Sequence, residues 1–347
     1  MENFIDYNFY EKENGGEFIF TEKRYNGKRT VFKKIKPYKG LEPDVKDFYP
    51  FCSVIVPTHN RSKYLKAALQ SVLNQSVPFD KYELLIIDDG SIGDDTKKVV
   101  WELQRLYPER AIRYYYQENA GPAAARNLGI RNAKGEIIFF TDDDCIVPSN
   151  WMQALLDGYY RYPDAVGVGG WFVPPQEALK SNMVAKFIYY TAFYNSRISP
   201  LLLSHEIISN DPLACFGMFA YNTANISFRR NILERTGGFR EEFRRPGYED
   251  SDLALRILHN GGQLLYIPLH VEHVSHLDAV SFVKLCCGRG ASFQLFMKLN
   301  KNILEEILPN LSLRNIYPVS ILLKHLLFRP YKFMILLRFL SFRLGWA

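Results

Sequence analysis

Three aspartates in a row, Asp142-Asp143-Asp144, follow an apolar run, Glu136-Ile-Ile-Phe-Phe140, and this junction constrains the chain more than any other stretch. Such a run reads as a strand buried on both faces, as in a parallel sheet, with the acids where it ends. Adjacent carboxylates repel one another and are costly to leave unpaired at the lip of a core. A divalent cation with a phosphorylated ligand relieves that cost. Mg2+ and Mn2+ take carboxylate oxygens and leave coordination positions for phosphate oxygens. Taken alone, the triplet is explained equally well as an acidic turn before a helix starting near Pro148-Ser149-Asn150.

The neighbouring segments alternate strand and helix. Cys52-Ser-Val-Ile-Val56, Glu83-Leu-Leu-Ile-Ile87 and Ile112-Arg-Tyr-Tyr-Tyr116 read as strands. Helical spacing covers Lys63 to Gln75, Asp94 to Leu106, and Gly121 to Ala133 with Pro122 in its first turn. This alternation predicts an α/β, mostly parallel sheet flanked by helices, whose ligands sit beyond the carboxyl ends of the strands. Three strands end in polar clusters: Thr58-His59-Asn60-Arg61, Asp88-Asp89-Gly90-Ser91 and the aspartate triplet. Three clusters at one sheet edge point to a single site.

Beyond Trp151 the pattern loosens. Ala165 to Val173 and Asn222 to Phe228 read as strands, Tyr248-Glu249-Asp250-Ser251-Asp252 opens a helix, and residues 176–216 have no readable boundaries. Before residue 51, Glu17-Phe-Ile-Phe20 and Thr30-Val-Phe32 suggest a hairpin around Asn26-Gly27.

Five pieces in order resemble the family 2 glycosyltransferases. They are Ser53-Val-Ile-Val-Pro-Thr-His-Asn-Arg61, Leu84-Leu-Ile-Ile-Asp-Asp-Gly-Ser91, Asn119-Ala-Gly-Pro-Ala-Ala-Ala-Arg-Asn-Leu-Gly129, Lys134-Gly-Glu-Ile-Ile-Phe-Phe-Thr-Asp-Asp-Asp144, and Gly237-Gly-Phe239 with Tyr248-Glu-Asp-Ser-Asp252. The resemblance implies a GT-A type, Rossmann-like sheet and inverting transfer of a sugar from a nucleotide-diphosphate donor to a hydroxyl. It divides the chain into an N-terminal extension (1–50), a nucleotide-sugar-binding half (51–150), an acceptor-binding and catalytic half of the same domain (151–278), and a C-terminal basic helical region (279–347).

The same resemblance assigns residues. Pro57, Thr58, Asn60, Arg61, Asp88, Asp89, Arg126, Asp142 and Asp143 would contact the nucleotide sugar. Asp144 and Asp142 would hold Mn2+ or Mg2+, with His273 or His276 as a further ligand. Asp250, beside Glu249, would be the general base, on the face opposite the diphosphate. A capping cluster is the structural alternative for Glu249, Asp250 and Asp252. Trp171, after Gly169-Gly170, is the best aromatic platform for sugar or acceptor. Tyr189, Tyr190, Phe193 and Tyr194 more often signify core.

Charge adds a partner. The net charge of +6 equals the six basic residues between Leu308 and Ala347, a stretch without Asp or Glu. Apolar clusters alternate with these cations, and none reaches the ~20 residues of a spanning helix. Residues 313–347 therefore read as a basic amphipathic surface for an anionic membrane, with helices packed on the catalytic domain behind a basic outer face as the alternative, and the acceptor as a glycan or a lipid-linked sugar. Nucleic acid is disfavoured, because no aromatic stacking positions lie on a polar face. The N-terminus, Met1 to Asp6, lacks an apolar signal region. Five cysteines without a Cys-x-x-Cys pair suit a reducing compartment. The expected location is the cytoplasmic face of the cell membrane, and the expected role is cell-surface polysaccharide or glycolipid synthesis. A non-catalytic nucleotide-binding scaffold is the competing reading.

Overall fold

The computed structural model describes residues 7–11, 18–23, 29–37, 49–182, 184–185, 205–210, 212, 222–274 and 278–307. His276, the four aromatics between 189 and 194, and residues 313–347 lie outside them.

The heart of the molecule is four parallel strands. They are β4 (Cys52–Thr58), β5 (Tyr82–Asp89), β6 (Ala111–Gln117) and β7 (Ile137–Phe140), in the order β6-β5-β4-β7. The apolar runs are continuous because both faces are covered. On β4, Ile55 joins a core with Phe140, Phe239 and Leu253, while Val54 and Val56 join a second core with Leu65, Phe139 and Trp151. Helices α1 (Ser62–Leu73), α2 (Thr96–Leu106) and α3 (Pro122–Asn132) connect these strands. α3 carries an almost all-buried Ala123-Ala124-Ala125 face, so it packs close to the sheet.

Beyond β7 the sheet becomes mixed. β11 (Ile226–Arg229) inserts antiparallel between β7 and β9 (Ala165–Val173), and β9 runs parallel to β12 (Gln263–His273). The short β8 (Cys145–Ile146) pairs with the end of β12, setting Cys145 opposite His273. Further helices are α4 (Trp151–Arg161), α5 (Gln176–Ser181), α6 (Arg230–Thr236), α7 (Glu249–His259), α8 (Ala279–Leu299) and α9 (Lys301–Ile307). No helix among the described residues is long and apolar enough to cross a membrane.

The N-terminal segment holds more than the expected hairpin. β1 (Tyr7–Glu11), β2 (Phe18–Lys23) and β3 (Arg29–Pro37) form an antiparallel meander. β3 then pairs with β10 (His205–Ser209), which pairs with β12, so the meander extends the central sheet.

The turn before α3 packs closely on the loop after α6. Gly121, just before α3, has φ +96°, and a Cβ there would lie 2.5 Å from the carbonyl oxygen of Arg244. Strain of that kind costs about 1–3 kcal/mol. Gly121→Ala is expected to lower unfolding stability by at least that amount in urea titration. A neutral result would show that this approach is not tight.

Candidate active site

The carboxyl ends of β4, β5 and β7 meet as the sheet register requires, with Thr58 beside Asp88. Asp88 is buried and accepts hydrogen bonds from the Ser91 backbone N–H (2.8 Å) and the Tyr114 hydroxyl (2.7 Å). Burial, then the Asp88 carboxylate, pushes the Tyr114 hydroxyl up, so it stays a donor. Asp89 accepts from the backbone N–H groups of Ala120 and Gly121, each at 2.9 Å, and from Gln117 Nε2 at 2.7 Å. Its carboxylate thus fixes the loop leading into α3. Asn60, at φ +54°, accepts from the Ile92 N–H and shapes the rim. Pro57 is half-buried one residue further back on β4.

The aspartate triplet is separated by its partners. Asp142 Oδ1 accepts from Arg126 Nη2 at 2.9 Å. Asp143 accepts from the Thr58 hydroxyl at 2.7 Å, and Arg61 Nη1 lies 3.4 Å from its other oxygen. Asp144 Oδ2 receives Arg61 Nη1 at 2.5 Å. Two arginines therefore supply much of the compensation that three adjacent acids need. Burial nevertheless raises Asp143, helped by Asp144 and Asp142 and opposed by Arg61, up to about 7.

One oxygen stays unmatched. Asp144 is 1% exposed, and its Oδ1 has no hydrogen-bond donor among the described residues. His273 Nε2 stands 3.4 Å from that oxygen. Asp144, Cys145 and His273 offer ligand atoms within 4.8 Å of one another. A buried carboxylate oxygen without a donor beside an imidazole fits a small divalent cation, whereas Asp142 is turned to Arg126. Burial holds the Cys145 thiol protonated, so the hard oxygens are the better ligands there.

The other wall is the start of α7. Tyr248 adopts φ +68° and stacks near Phe293 and Phe296 of α8, with centroids 5.1 and 5.8 Å away. A left-handed non-glycine residue is strained, and the aromatic packing overrides that preference. The strained turn presents Glu249 and Asp250. Glu249 Oε1 accepts from Arg126 Nη1 at 3.1 Å and Oε2 from the Gly247 N–H at 2.6 Å, so both oxygens serve protein donors. Asp250 Oδ1 accepts from the Ser251 N–H at 2.7 Å. Burial first, and Glu249 second, push the Asp250 carboxyl up to about 7. A carboxylate so placed is a proton acceptor near neutral pH.

Asp252 is fully buried and does another job. It accepts from Arg240 (2.9 Å), Asn300 (2.7 Å) and Arg256 (2.9 Å), and Arg256 also donates to the Thr236 and Gly238 carbonyls. The network locks α7 to α8 and to the loop after α6.

Arg126 thus connects the two walls, bridging Asp142 and Glu249 from a site that is 4% exposed. Trp171 stacks on Phe172 at 5.3 Å, on the β9 side, and is half-buried. Tyr114, Arg240 and Arg289 escaped the sequence reading. Arg289 acts electrostatically on Asp250, and only the packing of α8 reveals it. The adjacent pair Arg244-Arg245, four residues before Glu249, was a visible signal.

Two family models match the chain. The one described as glycosyl transferase family 2 spans residues 53–227, and one described as N-terminal domain of galactosyltransferase spans 216–279. Glycosyltransferase AglE of Haloferax volcanii is 36% identical over 193 residues, 55% of this chain and 56% of its own. Minor teichoic acid biosynthesis protein GgaA of Bacillus subtilis is 39% identical over 108 residues, 30% of this chain and 24% of its own. The chain thus spans 24% and 56% of the lengths of those two relatives. A solved structure, the mannosyltransferase PcManGT from Pyrobaculum calidifontis in complex with GDP-Man and Mn2+, superposes with a TM-score of 0.61 at 20% identity. The match covers 89% of this chain and 90% of that one and shows a shared fold.

Proposed function

Because this chain belongs to glycosyl transferase family 2 and has the GT-A fold, we propose that it transfers a sugar from a nucleotide-diphosphate sugar to an acceptor hydroxyl with inversion. The observation that carries the reading is the Arg126 bridge, which joins the acid at the sheet edge to the carboxylate beside Asp250. In this reading the donor-side and acceptor-side groups belong to one site.

In this reading Asp88 and Thr58 line the nucleoside pocket, and Asp142 and Asp144 hold a divalent cation. A bound Mn2+ or Mg2+ would supply Lewis-acid stabilisation of charge on the leaving diphosphate. The PcManGT complex, which holds GDP-Man and Mn2+, supports that assignment. Arg61, with a half-exposed guanidinium bonded to Asp144, would contact the phosphates. Asp250 removes the proton from the acceptor hydroxyl, and Glu249 fixes the turn through Arg126 and the Gly247 N–H. One in-line displacement inverts the anomeric carbon. The teichoic acid name of the B. subtilis relative supports a role in surface polysaccharide assembly.

The test is a thermal-shift titration with UDP, GDP, CMP and TDP and their sugar conjugates, each with Mn2+, Mg2+ or EDTA. Binding to the folded state raises the melting temperature by mass action, about 2.7 kcal/mol at a hundredfold excess over Kd. One nucleotide is expected to stabilise the chain only with metal, and Asp144→Asn to abolish that increment. No shift with any nucleotide would overturn the donor assignment.

A further inference from the structure

We propose that Arg244, Arg245 and Arg289 form a binding site for a phosphate group carried by the acceptor, next to Asp250. The inference rests on the reading of Asp250 as the acceptor base. Arg244-Arg245-Pro246-Gly247 leads directly into the turn that presents Glu249 and Asp250. Gly247, at φ +124°, packs against Arg289 of α8 so closely that a Cβ would lie 2.9 Å from its Cγ. Gly121 packs still more closely on the backbone of Arg244, where a Cβ would lie 2.5 Å from its carbonyl oxygen. The loop is therefore held on both sides, at Arg244 by Gly121 and at Gly247 by Arg289.

The neighbouring arginines already have partners. Arg126 is taken by Asp142 and Glu249, while Arg240 and Arg256 are taken by Asp252. Arg131 reaches Glu241. Arg244, Arg245 and Arg289 are exposed, and none meets a carboxylate within ion-pair distance among the described residues. Glu242, the remaining acid of the loop, acts on Arg256. Arg289 acts electrostatically on Asp250, and Arg244 and Arg245 precede by three and two residues the glycine that touches it, so this turn carries more cations than its described ion pairs use.

Their chemistry specifies the ligand. Guanidinium groups match phosphate oxygens with paired, charge-assisted hydrogen bonds. The donor diphosphate lies on the opposite face of the sugar from the base, so cations beside Asp250 address the acceptor. An acceptor hydroxyl on a sugar joined to phosphate would reach Asp250 while its phosphate engages the arginines. That sugar phosphate is either soluble or held at a lipid headgroup. The six cations and no acids of residues 308–347 extend the same sign of charge along the chain.

The experiment is calorimetric titration of the full chain, preloaded with its nucleotide and Mn2+. The probes are N-acetylglucosamine 1-phosphate, the neutral methyl N-acetylglucosaminide, and detergent micelles containing polyprenyl phosphate or neutral polyprenol. Phosphate-bearing probes are expected to bind at least about tenfold more tightly than their neutral partners. Arg289→Gln and the double variant Arg244→Gln/Arg245→Gln should each erase about ten- to a hundredfold of that preference and leave nucleotide affinity unchanged. Preference for the soluble probe alone identifies a soluble sugar phosphate, and preference for the micelles alone a lipid headgroup. Equal binding of charged and neutral probes overturns the site, as does an intact preference in both variants. A chain that prefers phosphate but takes up no nucleotide keeps this site and loses the glycosyl-transfer reading.

Discussion

Asp250→Asn is expected to lower sugar transfer by about a hundred- to ten-thousandfold while the nucleotide-binding midpoint stays in place. The amide keeps the side-chain size and can still accept from the Ser251 N–H, so the turn survives. What is lost is proton acceptance. The parent enzyme should gain activity as pH rises through about 7, where burial and Glu249 place the Asp250 carboxyl. Stability runs the other way. The folded chain binds the Asp250 proton more tightly than the unfolded chain, whose carboxyl titrates in the ordinary range near 4. Folding stability therefore falls as pH rises from about 4 to 7, and the loss is complete above that. Asp250→Asn removes this loss. It should melt higher than the parent at pH 8, with the difference closing toward pH 4. Rate measurements across pH, together with melting at both ends, test the assignment. A variant retaining more than a tenth of parental transfer would exclude Asp250 as the base.

Arg126→Met is expected to destabilise the fold by about 3–5 kcal/mol, because it leaves the buried Glu249 and the neighbouring Asp142 without their shared cation. Arg126→Lys should rescue little. Arg126 reaches the two acids with different nitrogens of one planar fork, and a single ammonium cannot span both. Adding Glu249→Gln to Arg126→Met should recover part of the loss, since one of the stranded charges is gone. Urea unfolding of the three proteins measures this directly. A loss under about 1 kcal/mol for Arg126→Met would mean that solvent already compensates these carboxylates.

The parallel core was legible because its strands announce themselves. Leu84 to Ile87 and Ile137 to Phe140 are buried on both faces, and a run of that kind has few alternatives. The strand-end acids were legible for the same reason, since polar residues at those ends stand out. Their partners were not. Arg126 contacts a carboxylate 123 positions away and Thr58 one 85 positions away, pairings that no local spacing encodes. Asp89 lay in the same motif as Asp88, yet its two oxygens are spent on backbone donors of the α3 loop, a role indistinguishable in sequence. β10 and α5 fall where no periodicity could be read, because β10 is short and its partners are distant in the chain. The N-terminal strands were half-seen. The Asn26-Gly27 turn signalled one hairpin, but the edge that β3 joins is formed by residues far downstream.

That last pairing sets an order of events during synthesis. His205 is the partner of Pro37, so some 170 residues must emerge before the meander finds its edge. At the ~5–20 residues per second of translation this is roughly 8 to 34 seconds. Through that interval β3 has an open side, with backbone donors and acceptors available to any other nascent strand. The meander is made well before the edge on which it docks. Slowing elongation between residues 40 and 205 should lengthen the exposure and increase dependence on chaperones, whereas changes downstream of β10 should not.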